Sequence, residues 1–390
     1  MQFIDLKAQQ NQLLPEGHTL REDIDNNIKK VIDHGKYILG PEVKQLEEKL
    51  ASYVGVKHCV GVSSGTDALL IALMAVGINP GDEIITTPFS FFATAETIVL
   101  LGAIPVFVDI DPTTYNLDPL KIEYAISRKT KAIIPVSLYG QPANFKEINT
   151  IAKRHNVAVI EDGAQSFGST HHNKKSGNLS TIGTTSFFPS KPLGGYGDGG
   201  ACFTNDDNFA RKMREISLHG QIKRYDHLNI GINGRLDTLQ AAILLSKIKV
   251  FDKEIILRQK IAKRYDDIFK DNPLIVTPHI SNYNTSVYAQ YTIQVNKREE
   301  IIDFLNTKSI PSAVHYPILL SDQDALKAKS KRNPLKKIFS KKKFKSYKLM
   351  NASSICKNVL SLPMHPLLSE VDQDYIIEQV LNYTKKLNNI

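Results

Sequence analysis

Three short stretches carry side chains that could do chemistry together. The first is Ser63-Ser64-Gly65-Thr66-Asp67, placed where a strand pattern gives way to a helix pattern. A helix start offers unpaired N–H groups at the positive end of its dipole, which suits a phosphate. Gly65 permits close backbone approach, and the Ser64 and Thr66 hydroxyls can donate. A plain Ser/Thr helix cap has the same pattern. The second stretch, Val159-Ile160-Glu161-Asp162-Gly163-Ala164-Gln165, sets Asp162 at the end of an apolar strand. A carboxylate there can cap a helix, or hold a pyridinium nitrogen protonated. The third is Thr185-Ser186-Phe187-Phe188-Pro189-Ser190-Lys191-Pro192-Leu193-Gly194. A lysine between prolines and glycines is poorly suited to a solvated helix face, although most lysines lie at the surface and this stretch taken alone reads first as a surface loop. A desolvated amine in such a loop can attack a carbonyl to form a Schiff base. Gly195-Tyr196-Gly197-Asp198-Gly199-Gly200 matches GxGxxG, but a strand pattern follows it. A dinucleotide fingerprint should open a helix, so flexible backbone beside the lysine is the better reading.

The elements that position these stretches alternate between strand and helix. Strand patterns fall at 58–62, 82–87, 104–109, 132–138 and 157–162. Helical patterns at 66–76, 92–101 and 145–155 separate them. Such alternation predicts a mostly parallel sheet covered by helices, with ligands at the carboxyl ends of the strands. Shorter strand pieces follow at 184–188 and 201–204. Residues 236–269 contain no Gly or Pro and read as one long helix or two. A final helix is expected around 372–387. We expect two units: an N-terminal arm with a large domain over 1–249, and a smaller C-terminal domain over 250–390.

Composition limits the function classes. The chain has 390 residues, 42% apolar and 23% charged, ordinary values for a soluble globular protein. No apolar run approaches a membrane span, and no basic-then-apolar leader opens the chain. The expected location is therefore the cytoplasm, without stable membrane insertion. Cys59, Cys202 and Cys356 are widely spaced and show no metal or disulfide pattern, so no metal is expected. The net charge of +9 invites a nucleic-acid reading. Between Lys327 and Lys348, however, ten lysines and Arg332 occur with no acidic residue, and without them the net charge becomes −2. The basicity is one local segment. It reads either as a solvated run, as an attraction for an anionic substrate, or as a membrane-surface contact. A nucleic-acid partner is not expected.

The order of these motifs resembles the sugar aminotransferase family of fold-type-I pyridoxal-phosphate enzymes, the DegT/DnrJ/EryC1/StrS type. The similarity begins at Phe3-Ile4-Asp5-Leu6 and Tyr37-Ile38-Leu39-Gly40-Pro41. It runs through Gly65-Thr66-Asp67-Ala68-Leu69, Glu161-Asp162-Gly163-Ala164-Gln165, the Ser186 to Lys191 loop and Arg235-Leu236-Asp237. It ends with Val314-His315-Tyr316-Pro317 and Leu362-Pro363-Met364-His365-Pro366. Within the family, Ile134-Pro135-Val136-Ser137-Leu138-Tyr139-Gly140-Gln141 and Leu236-Asp237-Thr238-Leu239-Gln240-Ala241-Ala242 are most similar to the 3-aminotransferases that act on UDP-2-acetamido-2-deoxy-3-oxo-glucuronate in surface-polysaccharide synthesis, including lipopolysaccharide O-antigen. Gly163 and Gly234 depart from the usual Ala and Ser. The lysine segment is longer and more basic than the resemblance covers.

The resemblance implies an α/β fold of type I: a large domain with a mostly parallel mixed sheet, and a smaller C-terminal α/β domain. It implies that Lys191 holds pyridoxal 5′-phosphate covalently and shuttles a proton. Asp162 would pair with the pyridine nitrogen and Gln165 with the ring hydroxyl. Gly65, Thr66 and Ser186 would bind the phosphate, and Phe92 would stack on the ring. Asn233 and Arg235 would reach over from the second subunit of a homodimer, the first to the phosphate and the second to the sugar. His315 and Tyr316 would line the nucleotide-sugar pocket. The reaction would be ping-pong, with L-glutamate giving its nitrogen and a UDP-linked keto-sugar receiving it. A different 3- or 4-keto UDP- or dTDP-sugar is the nearest alternative. A sugar dehydratase of the same fold would carry His in place of Lys191.

Overall fold

The computed structural model describes residues 1–327 and 344–388. Seven strands of the large sheet come first in the chain: β1 (His58–Val62), β2 (Glu83–Thr86), β3 (Ile104–Phe107), β4 (Thr130–Ile134), β5 (Ala158–Asp162), β6 (Ile182–Ser186) and β7 (Gly200–Thr204). Two strands of a small sheet follow, β8 (Ile275–Val276) and β9 (Tyr291–Val295). Then come β10 (Lys345–Ser346) and β11 (Val359–Leu362). The large sheet runs β1-β7-β6-β5-β4-β2-β3-β10. Its pairs from β6 through β10 are parallel, and β7 runs antiparallel to both neighbours. The sheet is thus mixed but mostly parallel.

Period-two alternation sends each strand's side chains to two cores. Ile84, Ile134 and Ile160 face one cluster, under helices α3 (Gly65–Val76) and α6 (Asp207–Ser217). Ile85, Ile133 and Val159 face another, under α5 (Phe145–Arg154). Both faces are covered, which is why these strands read as unbroken apolar runs. The other helices of eight or more residues, among those described, are α1 (Leu20–His34), α2 (Pro41–Val54), α4 (Ala93–Leu100), α7 (Thr238–Phe269), α8 (Arg298–Thr307), α9 (Met350–Asn358) and α10 (Glu370–Asn388).

Within residues 236–269 the chain forms one helix rather than two: α7, Thr238–Phe269, of 32 residues, roughly 48 Å long. Its first half supplies Leu244, Ile248, Phe251 and Ile255 to a core shared with α2. Its second half supplies Ile261, Tyr265 and Phe269 to a separate core around the antiparallel sheet β8-β9-β11. Among the described residues, no helix is long and apolar enough to cross a membrane.

One of the expected elements needs correction. The strand expected over 132–138 ends at Ile134, because Pro135 has no N–H to continue a ladder. Val136 keeps one bridge to Asp162, and Leu138–Gly140 form a 3-10 turn in which Tyr139 takes a positive φ of 56°. The N–H groups so released are met by side chains: Leu138 donates to Asn116 and Tyr139 to Gln165. The lysine-rich stretch lies largely outside the described residues, over 328–343. Of its described members, Lys345 is on strand β10 at the sheet edge, 2.6 Å from the buried Glu83 carboxylate.

Candidate active site

The carboxyl ends of β1, β5 and β6 open onto a cavity of about 510 Å³. That size suits a small-molecule ligand, for which roughly 300–1,000 Å³ is usual. Its walls contain Ser64, Gly65, Thr66, Asp162, Gln165, Ser186, Lys191, His315 and Tyr316. Eight residues that the sequence singles out separately therefore meet in one space, with Ser64 beside them.

At one end, β1 runs into α3. Ser64 caps the helix by accepting the Asp67 N–H at 3.0 Å. A Cβ on Gly65 would lie 2.6 Å from Ser186 Cβ and 3.2 Å from its Cα. Only glycine lets the helix start and the end of β6 close on each other. The result is a cradle of free N–H groups and the Thr66 and Ser186 hydroxyls, which fits a phosphate.

In the middle, Asp162 is buried at the end of β5. Thr94 donates to one of its oxygens at 2.8 Å, and the Ala164 N–H lies 3.3 Å from the other. Burial pushes the carboxyl above its ordinary range. The Thr94 and Ala164 hydrogen bonds and the Lys191 charge pull the other way. A buried carboxylate of this kind is relieved by a cation. A protonated ring nitrogen supplies one, so the donor set fits a pyridinium. Glu161, the preceding residue, points to the opposite side of the strand. There it accepts from Ser176 at 2.6 Å and from the Gly177 N–H at 2.8 Å.

Lys191 lies in the loop after β6, its N–H bonded to the Phe188 carbonyl at 2.8 Å. A Cβ on Gly194 would meet the Pro189 carbonyl oxygen at 2.4 Å, so the loop turns back too tightly for any other residue. The run that follows enters β7 and opens no helix. Burial lowers the ammonium below its ordinary range, and Asp162 opposes that shift. Lowering it enlarges the neutral, nucleophilic fraction.

The far wall comes from the dipeptide His315-Tyr316. Gln165 accepts the Tyr139 N–H at 2.8 Å and donates to the Tyr316 hydroxyl at 3.0 Å. Burial, then the Lys191 charge, holds the His315 imidazole down at about 4.

Phe92 is not in this wall. It packs against Ala95, Val99, Phe107 and Leu326, at the start of α4. The neighbouring Phe91 lines the cavity instead, 56% exposed, its ring 6.4 Å from that of Tyr316. Of the two, Phe91 and not Phe92 is placed to face a ring in the cavity. Asn233 and Arg235 do not reach the cavity of their own chain either. Asn233 is exposed and bridges to Leu218, while Arg235 bridges to Val62, its Nε buried and without a partner among the described residues. Sequence reasoning missed Ser90, Thr94, Asp198 and Gln290, all of which line the cavity. Thr94 carried a readable signal: it is a hydroxyl in the first turn of a helix that follows the carboxyl end of a strand, where an α/β sheet keeps its site. Gln290 carried none.

Comparison with known proteins agrees with this geometry. The family model for the DegT/DnrJ/EryC1/StrS aminotransferase family matches residues 18–381. The UDP-2-acetamido-2-deoxy-3-oxo-D-glucuronate aminotransferase of Pseudomonas aeruginosa is 50% identical over 382 residues, covering 98% of this chain and 100% of the relative. A DegT DnrJ EryC1 StrS aminotransferase from Brucella abortus superposes with a TM-score of 0.90 at 41% identity, covering 98% of this chain and 99% of that one. NtdA from Bacillus subtilis, solved with bound PMP, superposes with a TM-score of 0.87 at 32% identity, covering 99% of this chain and 85% of that one. The chain belongs to the DegT/DnrJ/EryC1/StrS aminotransferase family, and pyridoxal 5′-phosphate is its cofactor.

Proposed function

We propose that this aminotransferase moves an amino group from L-glutamate to the 3-keto carbon of UDP-2-acetamido-2-deoxy-3-oxo-glucuronate. We place it in the cytoplasm, as a homodimer that serves surface-polysaccharide synthesis. The observation that carries the chemistry is the juxtaposition of Lys191, shifted toward its neutral form, with the buried Asp162 in one cavity. The similarity along 98% of the chain to an aminotransferase of that named substrate supports the sugar.

The residues divide the work by position. Gly65, Thr66 and Ser186 would hold the cofactor phosphate. Asp162, steadied by Thr94, would keep the ring nitrogen protonated, Gln165 would face the ring hydroxyl, and Phe91 would cover a ring face. Pyridoxal phosphate, when bound, supplies a carbonyl that carries nitrogen between substrates and a ring that takes up electrons. Lys191 holds and returns the proton at the carbon that gains or loses the amine. His315 and Tyr316 would contact the sugar. Asn233 and Arg235, turned away from their own cavity, would serve that of the second subunit. The exposure of Asn233, and the buried Arg235 Nε that has no partner among the described residues, favour that assignment.

Mass spectrometry of products from a panel of UDP- and dTDP-linked keto-sugars, each incubated with glutamate, tests the reading. Selective gain of one amino group on the UDP-3-keto-glucuronate is expected. Preference for a 4-keto or dTDP-linked sugar would replace it.

A further inference from the structure

His315 and Tyr316 are gripped from two sides. From the large-sheet side, the Tyr139 hydroxyl donates to the His315 carbonyl and Gln165 donates to the Tyr316 hydroxyl. From the small sheet, the Ser361 hydroxyl lies 2.8 Å from His315 Nδ1 and 2.8 Å from Thr292 Oγ1. Ser361 and Thr292 are buried and stand opposite each other on β11 and β9. The Ser361 backbone is also paired both ways with Ala313, two residues before His315, at 2.8 and 3.1 Å. That hydroxyl therefore has a fixed address relative to the imidazole. The Phe3 ring packs against the same imidazole, with centroids 6.2 Å apart.

The two ring nitrogens are thus divided. Nδ1 is committed to the small sheet. Nε2 has no hydrogen-bond partner among the described residues, and His315 lines the cavity. Because the ring is neutral at pH 7, one nitrogen carries the proton and the other accepts. A hydroxyl both donates and accepts, so Ser361 can meet Nδ1 in either tautomer; what the contact fixes is the direction in which Nε2 points. We propose that Ser361, backed by Thr292, is a positioning residue that fixes the orientation of the His315 ring, and so aims Nε2 at the keto-sugar. This rests on the reading of His315 as a sugar contact. It links that contact to the small sheet, since β9 and β11 carry the hydroxyl pair.

Three variants test it. Ser361→Ala and Thr292→Val remove the hydroxyls, and Thr292→Ser keeps one while relieving space. Single-turnover absorbance follows two steps separately: loading with L-glutamate and unloading with UDP-2-acetamido-2-deoxy-3-oxo-glucuronate. S361A and T292V should lower kcat/KM for unloading roughly tenfold, the effect of one well-placed hydrogen bond. Loading should stay within about twofold, and T292S should unload as the parent does. Nitrogen NMR of the cofactor-free protein, labelled on its histidine rings, needs neither substrate nor cofactor. There the parent His315 ring should give one sharp set of signals, and S361A signals averaged over more than one ring orientation. His315→Ala, measured alongside, separates the levels of the argument. If H315A unloads normally, His315 does not touch the sugar, and the proposal falls with that reading. If H315A is slow but S361A neither slows unloading nor alters the His315 ring signals, the sugar contact stands and the positioning role is overturned. Equal losses of loading and unloading in S361A would make Ser361 structural and overturn it too.

Discussion

Phe91 and Phe92 are adjacent and chemically identical, yet the structure gives them opposite tasks, and that division can be measured. Phe91 is 56% exposed on the cavity wall. Its removal takes little from the folded chain, so Phe91→Ala should change cofactor-free stability by less than about 0.5 kcal/mol. It should cost the cofactor an aromatic neighbour worth about 1–2 kcal/mol once stacking and covered area are combined. That corresponds to a dissociation constant roughly five- to thirtyfold higher. Phe92 is partly buried among Ala95, Val99, Phe107 and Leu326. Truncating a fully buried Phe costs about 3–5 kcal/mol, and partial burial reduces that to about 2–3. Phe92→Ala should therefore lower the cofactor-free thermal midpoint by several degrees and leave cofactor affinity within about twofold. Fluorescence titration with pyridoxal phosphate gives affinity, and calorimetry without it gives stability. Affinity loss in F92A with none in F91A would show that the wall has been assigned to the wrong ring.

Lys191→Ala should abolish turnover and the yellow cofactor absorbance, and borohydride treatment of the parent should leave the cofactor on the Lys191 peptide alone. Asp162→Asn should fold, since the shapes match, but lose on the order of a hundredfold or more in rate, the scale of a broken buried charge pair; near-normal turnover would refute the pairing. Gly65→Ala places a methyl 2.6 Å from Ser186 Cβ, an overpacking cost of about 1–3 kcal/mol, so equilibrium dialysis should show weaker cofactor retention. Mixing Lys191→Ala with Arg235→Ala subunits should restore activity in heterodimers, and its absence would place each site within one chain. Glu161, buried and held up at about 7 from an ordinary 4.5, binds its proton more tightly folded than unfolded. Its contribution is present in full below pH 4.5 and is lost as pH rises toward 7, on the order of 3 kcal/mol; Glu161→Gln should flatten that window in denaturant titrations.

Which of these features could be read from sequence depended on how local their cause is. Strands β2, β4 and β5 announce themselves because both faces are buried, leaving no polar alternation to confuse the pattern. Asp162 and Lys191 stand where strands end, as an α/β site requires, but singly they read as well as a helix cap and a surface lysine; only their order with the phosphate turn, matched to the family, made them legible. Phe91 was missed because one residue of uncertainty at a helix start rotates the helix by about 100°, enough to exchange wall for core. Ser361 and Gln290 were out of reach altogether. Their roles follow from how β9 and β11 pair and where that sheet meets the large one, contacts with no local signature. Asn233 and Arg235 show the reverse case, recognised by motif yet placed outside the cavity of their own chain.

The charges of the site explain why its parts must be read together. Burial pushes Lys191 and Asp162 each toward its neutral form, while their mutual attraction opposes both shifts. Left alone, that arrangement strains two ionisable groups at once. A ligand bearing a cation near Asp162 and an anion near the start of α3 relieves the carboxylate and meets free N–H groups in the same event. It also leaves the lysine without its carboxylate partner, favouring the neutral amine that attacks a carbonyl. The cavity is therefore complementary to a ring cation and a phosphate joined by a short spacer, with an electrophilic carbon between them and the amine beside it. Pyridoxal phosphate has that layout, so the electrostatics of the protein alone point to the cofactor that its family uses.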